Sequence, residues 1–473
     1  MTVENINVEQ AIARVNDLIA REKHLSLALK ASLEVLVLLV SILANRLGLN
    51  SKNSSKPPSA DPNRRKESRK PATRRPGGQH GHIGTTLKPF SDPDLIKVIP
   101  VDRSTLPPGD YRPVGFEARQ VADLDISRFV TEWRAEILED QNGKRYVASF
   151  PEGLTRPVQY GTGVKVNAVY MSQYQLIPYN RIEDHFLEQM GIAVSAGSIL
   201  NFSQDAFDRL EFFESWVKEQ LASSALIHSD ETGINIGGTR HWLHSVSNES
   251  FTCFYPHSKR GCEAMDEMQI LPVYQGIICH DHWKPYFRYG GSHALCNAHH
   301  LRELERAVEQ DKQQWAERMI ALLREINKAT HDAGGCLEAP EAERYTKRYR
   351  QLLLEADQEC PAPDEKKKGR TARSKARNLL ERLRDFESET LRFMVNHNVP
   401  FSNNQAENDL RMTKVQQKIS GCFRSMDGAK IFCRIRSYLS TCRKQGVTAS
   451  DALRLLFQGK HPAFMDAKEH CAE

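Results

Sequence analysis

The first 252 residues of the chain contain no cysteine. All ten cysteines of the 473-residue sequence lie after that point, and none belongs to a CxxC pair. This distribution excludes a disulfide framework and zinc modules built from closely paired cysteines. Several cysteines follow apolar residues, as Cys279 follows Ile278, which is typical of buried thiols in a reducing compartment. We therefore expect a cytoplasmic protein.

Long apolar runs are also scarce. The longest, residues 35–44, is interrupted only by Ser41 and has about half of the ~20 residues that a membrane span needs. No cleavable signal peptide is recognisable. The sequence therefore predicts no membrane association.

Charge is small in total but unevenly distributed. The net charge is +5, yet ten Lys and Arg residues between Ser51 and Pro89 are opposed only by Asp61 and Glu67. Pro, Gly and Ser are frequent there and no apolar period is visible, so residues 51–90 are predicted to form a basic, flexible tether. Such a segment can bind DNA phosphates, although a merely solubilising linker is the alternative. The candidate DNA-binding residues of the tether are Arg64, Arg65, Lys66, Arg69, Lys70, Arg74 and Arg75.

Residues 1–50 are predicted to form one long, leucine-rich helix. Residues such as Val15, Leu18, Leu29, Leu36 and Leu43 occupy the a and d positions of one heptad register. Two interpretations remain open: a helix packed on its own protein, and a coiled coil that joins protomers. The second predicts a homo-oligomer, in the simplest case a dimer.

The next two segments differ in their periodicity. Residues 91–160 contain short alternating runs separated by Pro and Gly, which predicts a small β-rich module. Residues 161–222 have helical spacing, with a short turn at 192–194 and Ser195 as the cap of a second helix, so a helix-turn-helix is predicted. Ser198 and Asn201 of that second helix are the candidate DNA-reading residues. Any two packed helices give the same pattern, which is the alternative.

Three acidic residues carry the candidate chemistry. Residues 225–230 and 275–281 are short apolar runs that end in Asp230 and Asp281, as buried strands delivering carboxylates to one sheet edge would. Glu407 enters a helix for which Asn403 or Asn404 is the expected cap. Because Arg411 and Lys414 follow at i+4 and i+7, they share the helix face of Glu407. An exposed, salt-bridged helix is the alternative for that face.

The ordered set of strand-Asp, strand-Asp and helix-Glu favours metal-dependent phosphodiester transfer. Three carboxylates can hold a pair of Mg²⁺ ions, with Mn²⁺ as the alternative ion, and the pair activates an attacking oxygen and stabilises the leaving one. Asp230, Asp281 and Glu407 are therefore the predicted catalytic and metal-binding residues. Lys414, Arg411 and Lys418 are predicted to hold DNA phosphate near the metals.

These residues lie in motifs that resemble the transposases of the insertion-sequence 66 family, a branch of the DDE transposases. The matching segments are HSDETGINIGGTRHWLHS, ICHDHWKPY, NNQAENDLRMTKVQQK, NSSKPPSADP, RRPGGQHGHIG and SYLSTCRKQG. The resemblance implies a ribonuclease-H-like catalytic domain, formed here by residues 223–298 and 396–446. It also implies a helical insertion, residues 299–395, with which the long amphipathic runs agree. Residues 447–473 are predicted to form a C-terminal helical tail.

Two further expectations come from the same resemblance. Cys296 and His299 match a CxxH element that related transposases carry at the start of such an insertion, and we expect it to have a structural role. Many family members have a cysteine-rich zinc module before the helix-turn-helix, whereas residues 91–160 lack cysteine. The sequence therefore predicts that the protein carries no zinc.

The predicted function is that of a DNA transposase of a bacterial insertion sequence. Its expected partners are the terminal inverted repeats of the element, target DNA and small accessory proteins of the same element. The alternative is a DNA-binding protein, derived from a transposase, whose catalysis has lapsed.

Overall fold

The computed structural model describes residues 2–3, 6–22, 24–50, 52–54, 87–124, 126–362 and 373–466. Among these residues the protein is a mixed α/β structure, with many helices around a five-stranded sheet. The seven basic residues predicted in the tether, Arg64 to Arg75, lie outside the described residues.

The N-terminal region forms two helices, so the prediction of one long helix over residues 1–50 is wrong. Its elements are β1 (Thr2–Val3), β2 (Ile6–Asn7), α1 (Val8–Arg21) and α2 (Leu27–Leu47). The helix breaks because Ser26 starts a new one, its hydroxyl accepting a hydrogen bond from the Leu29 N–H (3.3 Å). Along α2 the large apolar side chains are exposed, among them Leu36 and Leu43.

By length and composition alone, α2 could also cross a membrane. A single helix of this kind near the N-terminus is weak evidence of a membrane location, since signal sequences and core helices share these properties. The uninterrupted apolar run within α2 is short, which is why the sequence pattern did not indicate this property. The cytoplasmic location stays a prediction.

The predicted β-rich module at 91–160 is contradicted. A 3₁₀ helix (Arg103–Thr105) and one hairpin, β3 (Ile137–Glu139) and β4 (Arg145–Val147), are the regular elements among the described residues there. Large apolar side chains such as Ile99 and Phe129 are almost fully exposed, so no core holds the segment together. The frequent prolines lack the N–H group that a strand ladder needs, which explains why the alternating runs remain unpaired.

Residues 161–222 are helical. The elements are α3 (Thr162–Val169), a π-helical turn (Tyr170–Tyr174), α4 (Tyr179–Met190), α5 (Ala196–Arg209) and α6 (Glu211–Ala222). Helix α4 ends at Gly191, whose φ of +62° suits glycine. The hydroxyl of Ser195 then accepts a hydrogen bond from the Ser198 N–H (3.2 Å) and starts α5, as its position in the sequence predicts. A helix, a short turn and a second helix are therefore present.

The central sheet combines antiparallel and parallel strands. Its strands are β5 (Leu226–Ile236), β6 (Thr239–Ser247), β7 (Thr252–His257), β8 (Ile277–His280) and β9 (Ser292–Leu295), with helix α7 (Cys262–Met268) between β7 and β8. The order across the sheet is β7-β6-β5-β8-β9. Strands β5, β6 and β7 form an antiparallel meander, whereas β8 and β9 run parallel to β5. Short 3₁₀ helices, Leu271–Val273 and Lys284–Arg288, flank β8.

A helical region with its own core separates β9 from the C-terminal helices. It contains α8 (Asn297–Asp311), α9 (Gln314–Asp332), α10 (Ala339–Glu359), α11 (Lys375–Asp385), α12 (Glu387–Leu391) and a 3₁₀ helix (Arg392–Met394). Trp315, Tyr349 and Leu380 are fully buried in its centre. The described residues between 297 and 394 are thus mainly helical, in the region where the family resemblance implied a helical insertion, and residues 363–372 lie outside the described residues.

The C-terminal helices cover the sheet and its neighbouring helices. They are α13 (Asn404–Ser420), α14 (Met426–Lys444), α15 (Ala449–Phe457) and α16 (Ala463–Asp466). Helix α14 protects the edge strand β7, because its Ser437 and Thr441 hydroxyls accept hydrogen bonds from the N–H groups of Phe254 (2.8 Å) and Thr252 (3.1 Å). Residues after 466 in the predicted tail lie outside the described residues.

Candidate active site

Asp230 lies on β5, and Asp281 directly follows the neighbouring parallel strand β8, so the two acids lie beside each other. The last pair of the β5–β8 ladder joins His228 to Cys279, and counting two residues onward places Asp230 next to Asp281. Strand β5 does not end at Asp230, as the sequence suggested, but continues to Ile236 paired with β6. It is β8 that ends, at His280, so both acids lie where the parallel part of the sheet stops.

Glu407 reaches the same place from the first turn of α13. Asn403, one of the two expected caps, occupies the N-cap position, but its side chain makes no capping hydrogen bond. Its amide instead donates to the Ser229 carbonyl (2.9 Å), and its Oδ1 accepts a hydrogen bond from His228 Nδ1 (2.8 Å). The start of α13 is therefore fixed directly to the strand that carries Asp230.

The charges show that these three acids form one cluster. Burial raises the pKa of Asp230 well above its usual value. The negative charges of Glu231 and Asp281 raise this pKa further, and Glu407 adds to the effect. Hydrogen bonds from the Glu231 N–H to Asp230 and from the Trp283 N–H to Asp281, both 2.9 Å, offset only part of the repulsion. A cation bound between the carboxylates would relieve it.

The CxxH element lies against Glu407. Cys296 Sγ accepts a hydrogen bond from the Asn403 N–H (3.1 Å), and His299 Nδ1 lies 3.8 Å from Glu407 Oε1. Arg302 Nη2 lies 3.7 Å from the other oxygen of Glu407. Both Glu407 Oε1 and His299 Nδ1 are buried without a hydrogen-bond partner. The donor atoms of Cys296, His299 and Glu407 converge closely enough to hold a metal ion.

Glu231, which the sequence motifs did not single out, is a fourth acid beside the cluster. Arg260 binds one of its oxygens through Nε (2.8 Å) and Nη2 (2.5 Å), and the buried Tyr286 hydroxyl donates to the other (2.5 Å). Burial raises the pKa of Glu231, and these hydrogen bonds lower it in part. Its position next to Asp230 was the one signal in the sequence that could have indicated it. Its partners Arg260 and Tyr286 lie in distant segments, so the sequence pattern could not show their contacts.

The predicted DNA-binding residues of α13 differ in their contacts. Lys414 Nζ donates to the Gly233 carbonyl (2.7 Å) at the edge of β5 along which α13 packs. Partial desolvation lowers the pKa of Lys414, and the nearby charge of Arg240 lowers it further. Arg411 and Lys418 are exposed on the same helix.

On α5, Asn201 is exposed and Ser198 is half-buried. Ser198 also lies 3.1 Å, oxygen to oxygen, from the capping hydroxyl of Ser195. The structure therefore assigns Ser198 a local contact at the helix start and leaves Asn201 open to solvent. A role of either residue in reading DNA stays a prediction.

Comparison with known families identifies the chain. A family model described as transposase IS66 family matches residues 157–431, which is more than half of the sequence. The chain belongs to this family. The match includes the segments that contain all three acids of the transposase, whereas the SYLSTCRKQG segment lies beyond it.

The N-terminal part of the transposase matches a second model. Residues 2–88 match a family of unknown function (DUF6444), which takes in the NSSKPPSADP and RRPGGQHGHIG segments. No curated protein matches the chain.

Proposed function

We propose that this transposase binds the ends of its element and cuts and joins DNA strands at Asp230, Asp281 and Glu407. The observation that carries the proposal is the position of Asp281 and Glu407 close enough to Asp230 to raise its pKa. Three acids separated widely in sequence meet at the end of a parallel strand pair, within the segment that matches the family.

The sheet supports a ribonuclease-H-like catalytic domain. A meander of three antiparallel strands, extended on the side of its first strand by two parallel strands, gives the order β7-β6-β5-β8-β9. The first acid lies on the central strand β5, and the second follows the neighbouring strand β8. In open sheets with parallel strands, functional residues gather outside the carboxyl ends of those strands.

The residues present fit divalent cations. Carboxylate oxygens are the ligands that Mg²⁺ and Mn²⁺ prefer, and Glu407 Oε1 is buried without a hydrogen-bond partner. Asp230, Asp281 and Glu407 would hold the two ions, which activate the attacking oxygen and stabilise the leaving oxygen of a phosphodiester when bound. We expect water to attack first and a DNA 3′-hydroxyl to attack in strand transfer.

The chain's own groups would position the DNA and the acids. Lys414 can exchange the Gly233 carbonyl for a DNA phosphate, because its side chain is exposed to solvent. The hydrogen bonds of Asn403 hold the first turn of α13 on β5, which fixes Glu407 relative to Asp230. Arg302, 3.7 Å from Glu407, limits the orientations of that carboxylate.

An excision assay with a supercoiled plasmid that carries the element tests the proposal. Asp230→Asn, Asp281→Asn and Glu407→Gln should each reduce Mg²⁺-dependent cleavage to background, because each removes one charged ligand with little change of volume. End binding in Ca²⁺ should remain. Asp332→Asn and Glu343→Gln, on exposed positions of α9 and α10, are matched controls that should cleave normally.

The same assay separates the alternative, a DNA-binding protein whose catalysis has lapsed. That alternative predicts end binding by the unmodified protein with no cleavage in Mg²⁺ or Mn²⁺. Cleavage that persists in one acid variant would show instead that this acid is misassigned.

A further inference from the structure

Four planar side chains form a continuous stack next to the acids. The guanidinium carbon of Arg240 lies 4.6 Å from the Trp242 ring centre, and that of Arg260 lies 4.8 Å from the same ring. Arg260 also stacks on Trp283, at 4.2 Å. These are cation–π distances, and they join Arg240, Trp242, Arg260 and Trp283 into what we call the Arg–Trp ladder.

Hydrogen bonds to the neighbours of the catalytic acids fix the inner half of the ladder. Arg260 is held by two bonds to Glu231, which follows Asp230 in the chain. The backbone N–H of Trp283 donates to Asp281 itself. The orientation of the ladder is therefore tied to the site of the proposed chemistry.

The outer end of the ladder carries positive charge that the described residues do not neutralise. Within the described part of the chain Arg240 makes no ion pair, and neither does Lys414, whose pKa is lowered first by desolvation and then by Arg240. Arg240 lies flat on β5 because Gly233 leaves room: a Cβ there would come within 3.2 Å of the Arg240 Nε. Two adjacent cations without carboxylate partners favour the binding of an anion.

The ladder and the acids lie on opposite sides of one strand. Trp242 is the cross-strand partner of Gly233, so it shares a sheet face with Glu231, whereas Asp230 points to the other face. Beyond His228 the edge of β5 is not paired with β8, and α13 packs along it instead, with Asn403 and Lys414 donating hydrogen bonds to the Ser229 and Gly233 carbonyls. A nucleic acid strand that passes over this edge and the exposed Lys414 could place a phosphate at the acids and the adjacent nucleotide on the ladder.

We propose that the Arg–Trp ladder binds an unpaired nucleotide of single-stranded DNA next to the cleavage site. Its base would take the place of the exposed Arg240 guanidinium group on the half-buried Trp242 ring, and its phosphate would pair with the displaced Arg240 and with Lys414. This inference rests on the proposed function, because cleavage at the three acids would bring an opened DNA strand next to the ladder. Paired bases are already stacked in a duplex, so the ladder should prefer single strands.

Fluorescence anisotropy with the full chain in Ca²⁺ tests the proposal, with a labelled dT₁₂ strand and a blunt duplex of the same length as probes. Trp242→Leu and Trp283→Leu should each weaken dT₁₂ binding by roughly 5- to 100-fold, while duplex binding stays nearly unchanged. Trp242→Phe should retain most of the affinity because it keeps an aromatic face. Arg240→Gln should weaken binding of dT₁₂ and reduce its salt dependence.

An abasic strand of the same length distinguishes stacking from phosphate contacts. The unmodified protein should bind it more weakly, and Trp242→Leu should cause no additional weakening, since the base that the indole would contact is already missing. Trp133→Leu and Arg344→Gln are the controls: Trp133 is exposed, and Arg344 lies over the Tyr345 ring at 5.2 Å in the helical insertion.

Equal weakening of duplex and single-strand binding, or unchanged dT₁₂ binding in both leucine variants with normal thermal unfolding, would overturn the proposal. The binding assay does not require cleavage, so the result is independent of the catalytic assignment. If Asp230→Asn retains the single-strand preference but the unmodified protein never cleaves, the ladder stands and the proposed catalytic function fails.

Discussion

His228 Nδ1 and Asn403 Oδ1 lie 2.8 Å apart although 175 residues separate them in the chain. Because the amide oxygen can only accept, the Nδ1 atom of His228 carries the proton. Burial lowers the pKa of His228, which keeps the ring neutral. One buried amide thus joins the central strand to the helix that brings the third acid.

We expect Asn403→Ala to destabilise the protein by about 1–3 kcal/mol, because it leaves His228 Nδ1 and the Ser229 carbonyl buried without partners. Urea unfolding measures this change. Asn404→Ala, at the exposed neighbouring position, is the control and should have little effect. Equal stabilities of the two variants would show that the network does not hold α13 in place.

Stability should fall in mild acid because of His244. Burial, with smaller contributions from the charges of His257 and Arg260, lowers the pKa of His244 from 6.5 to about 4. In the unfolded chain His244 is protonated below about pH 6.5, whereas in the folded protein it stays neutral down to about pH 4. The free energy of unfolding therefore decreases as the pH falls through this window. The decrease approaches about 3 kcal/mol at the acidic end.

The substitution His244→Gln should flatten this pH dependence, because glutamine does not titrate and can still donate to the Lys259 carbonyl, which His244 Nε2 approaches at 3.3 Å. Urea unfolding at several pH values within the window measures the slope. His331→Gln, on the exposed end of α9, is the control. A slope identical to that of the unmodified protein would assign the acid sensitivity to other groups.

We expect chelator-washed protein to contain no zinc. Among the described residues, donor atoms converge only in two groups of three: Cys296, His299 and Glu407, and His257, Glu263 and Glu267. A structural zinc site normally has four ligands. Burial also raises the pKa of the Cys296 thiol to about 11, which disfavours the thiolate that zinc binds.

Elemental analysis of the washed protein measures the zinc content. The expectation would be wrong if the unmodified protein retained one zinc per chain and the Cys296→Ser variant both lost the zinc and failed to fold. The CxxH element would then be part of a zinc site. The variant Cys336→Ser, at an exposed cysteine, is the matched control.

Removal of residues 1–48 should lower the oligomeric state. The large apolar side chains on α2, such as Leu39 and Leu43, are more than half exposed, and association of protomers would bury them. Light scattering on the full and truncated chains measures the change. The same oligomer number in both would rule out the coiled-coil interpretation.

The basic segment predicted to be a tether and the predicted helix-turn-helix should affect DNA binding differently. Neutralising the seven basic residues from Arg64 to Arg75 should weaken binding to all DNA and flatten its salt dependence, by about 0.9 in log–log slope for each DNA phosphate that the tether no longer neutralises. Changes of Ser198 or Asn201 should instead reduce discrimination between element ends and random DNA. Competition binding at several salt concentrations separates these outcomes. An unchanged slope in the neutralised variant would leave the tether as a linker.

Local signals predicted well where they act over a few residues. Ser195 starts α5 through its own hydroxyl. The two apolar runs before Asp230 and Asp281 are strands for the same reason. In each case neighbouring residues supply the partners that decide the structure.

Other features depend on partners that no local pattern contains. Asn403 is at the N-cap position of a helix, yet its side chain forms hydrogen bonds with His228 and Ser229 instead of capping the helix. These buried groups would otherwise lack partners. The apolar alternation within 91–160 resembles that of strands, but the large apolar side chains described there, such as Ile99 and Phe129, are exposed and not packed against another layer. Arg260 and Glu231 pair across 29 residues, which no spacing rule predicts.

The helical insertion leaves and rejoins the catalytic segment at almost one point. The N–H of Asn297 donates to the Phe401 carbonyl (3.0 Å), and the Asn403 N–H reaches Cys296 Sγ across 107 residues. Closing so long a loop of unfolded chain costs roughly 4 kcal/mol in entropy, whereas a folded insertion presents its two ends already close together. Assembly of the three acids should therefore follow folding of the insertion. During synthesis, a nascent chain would have no complete acid cluster until Glu407 and the rest of α13 have emerged, so the proposed catalytic site could not act in a partly made chain.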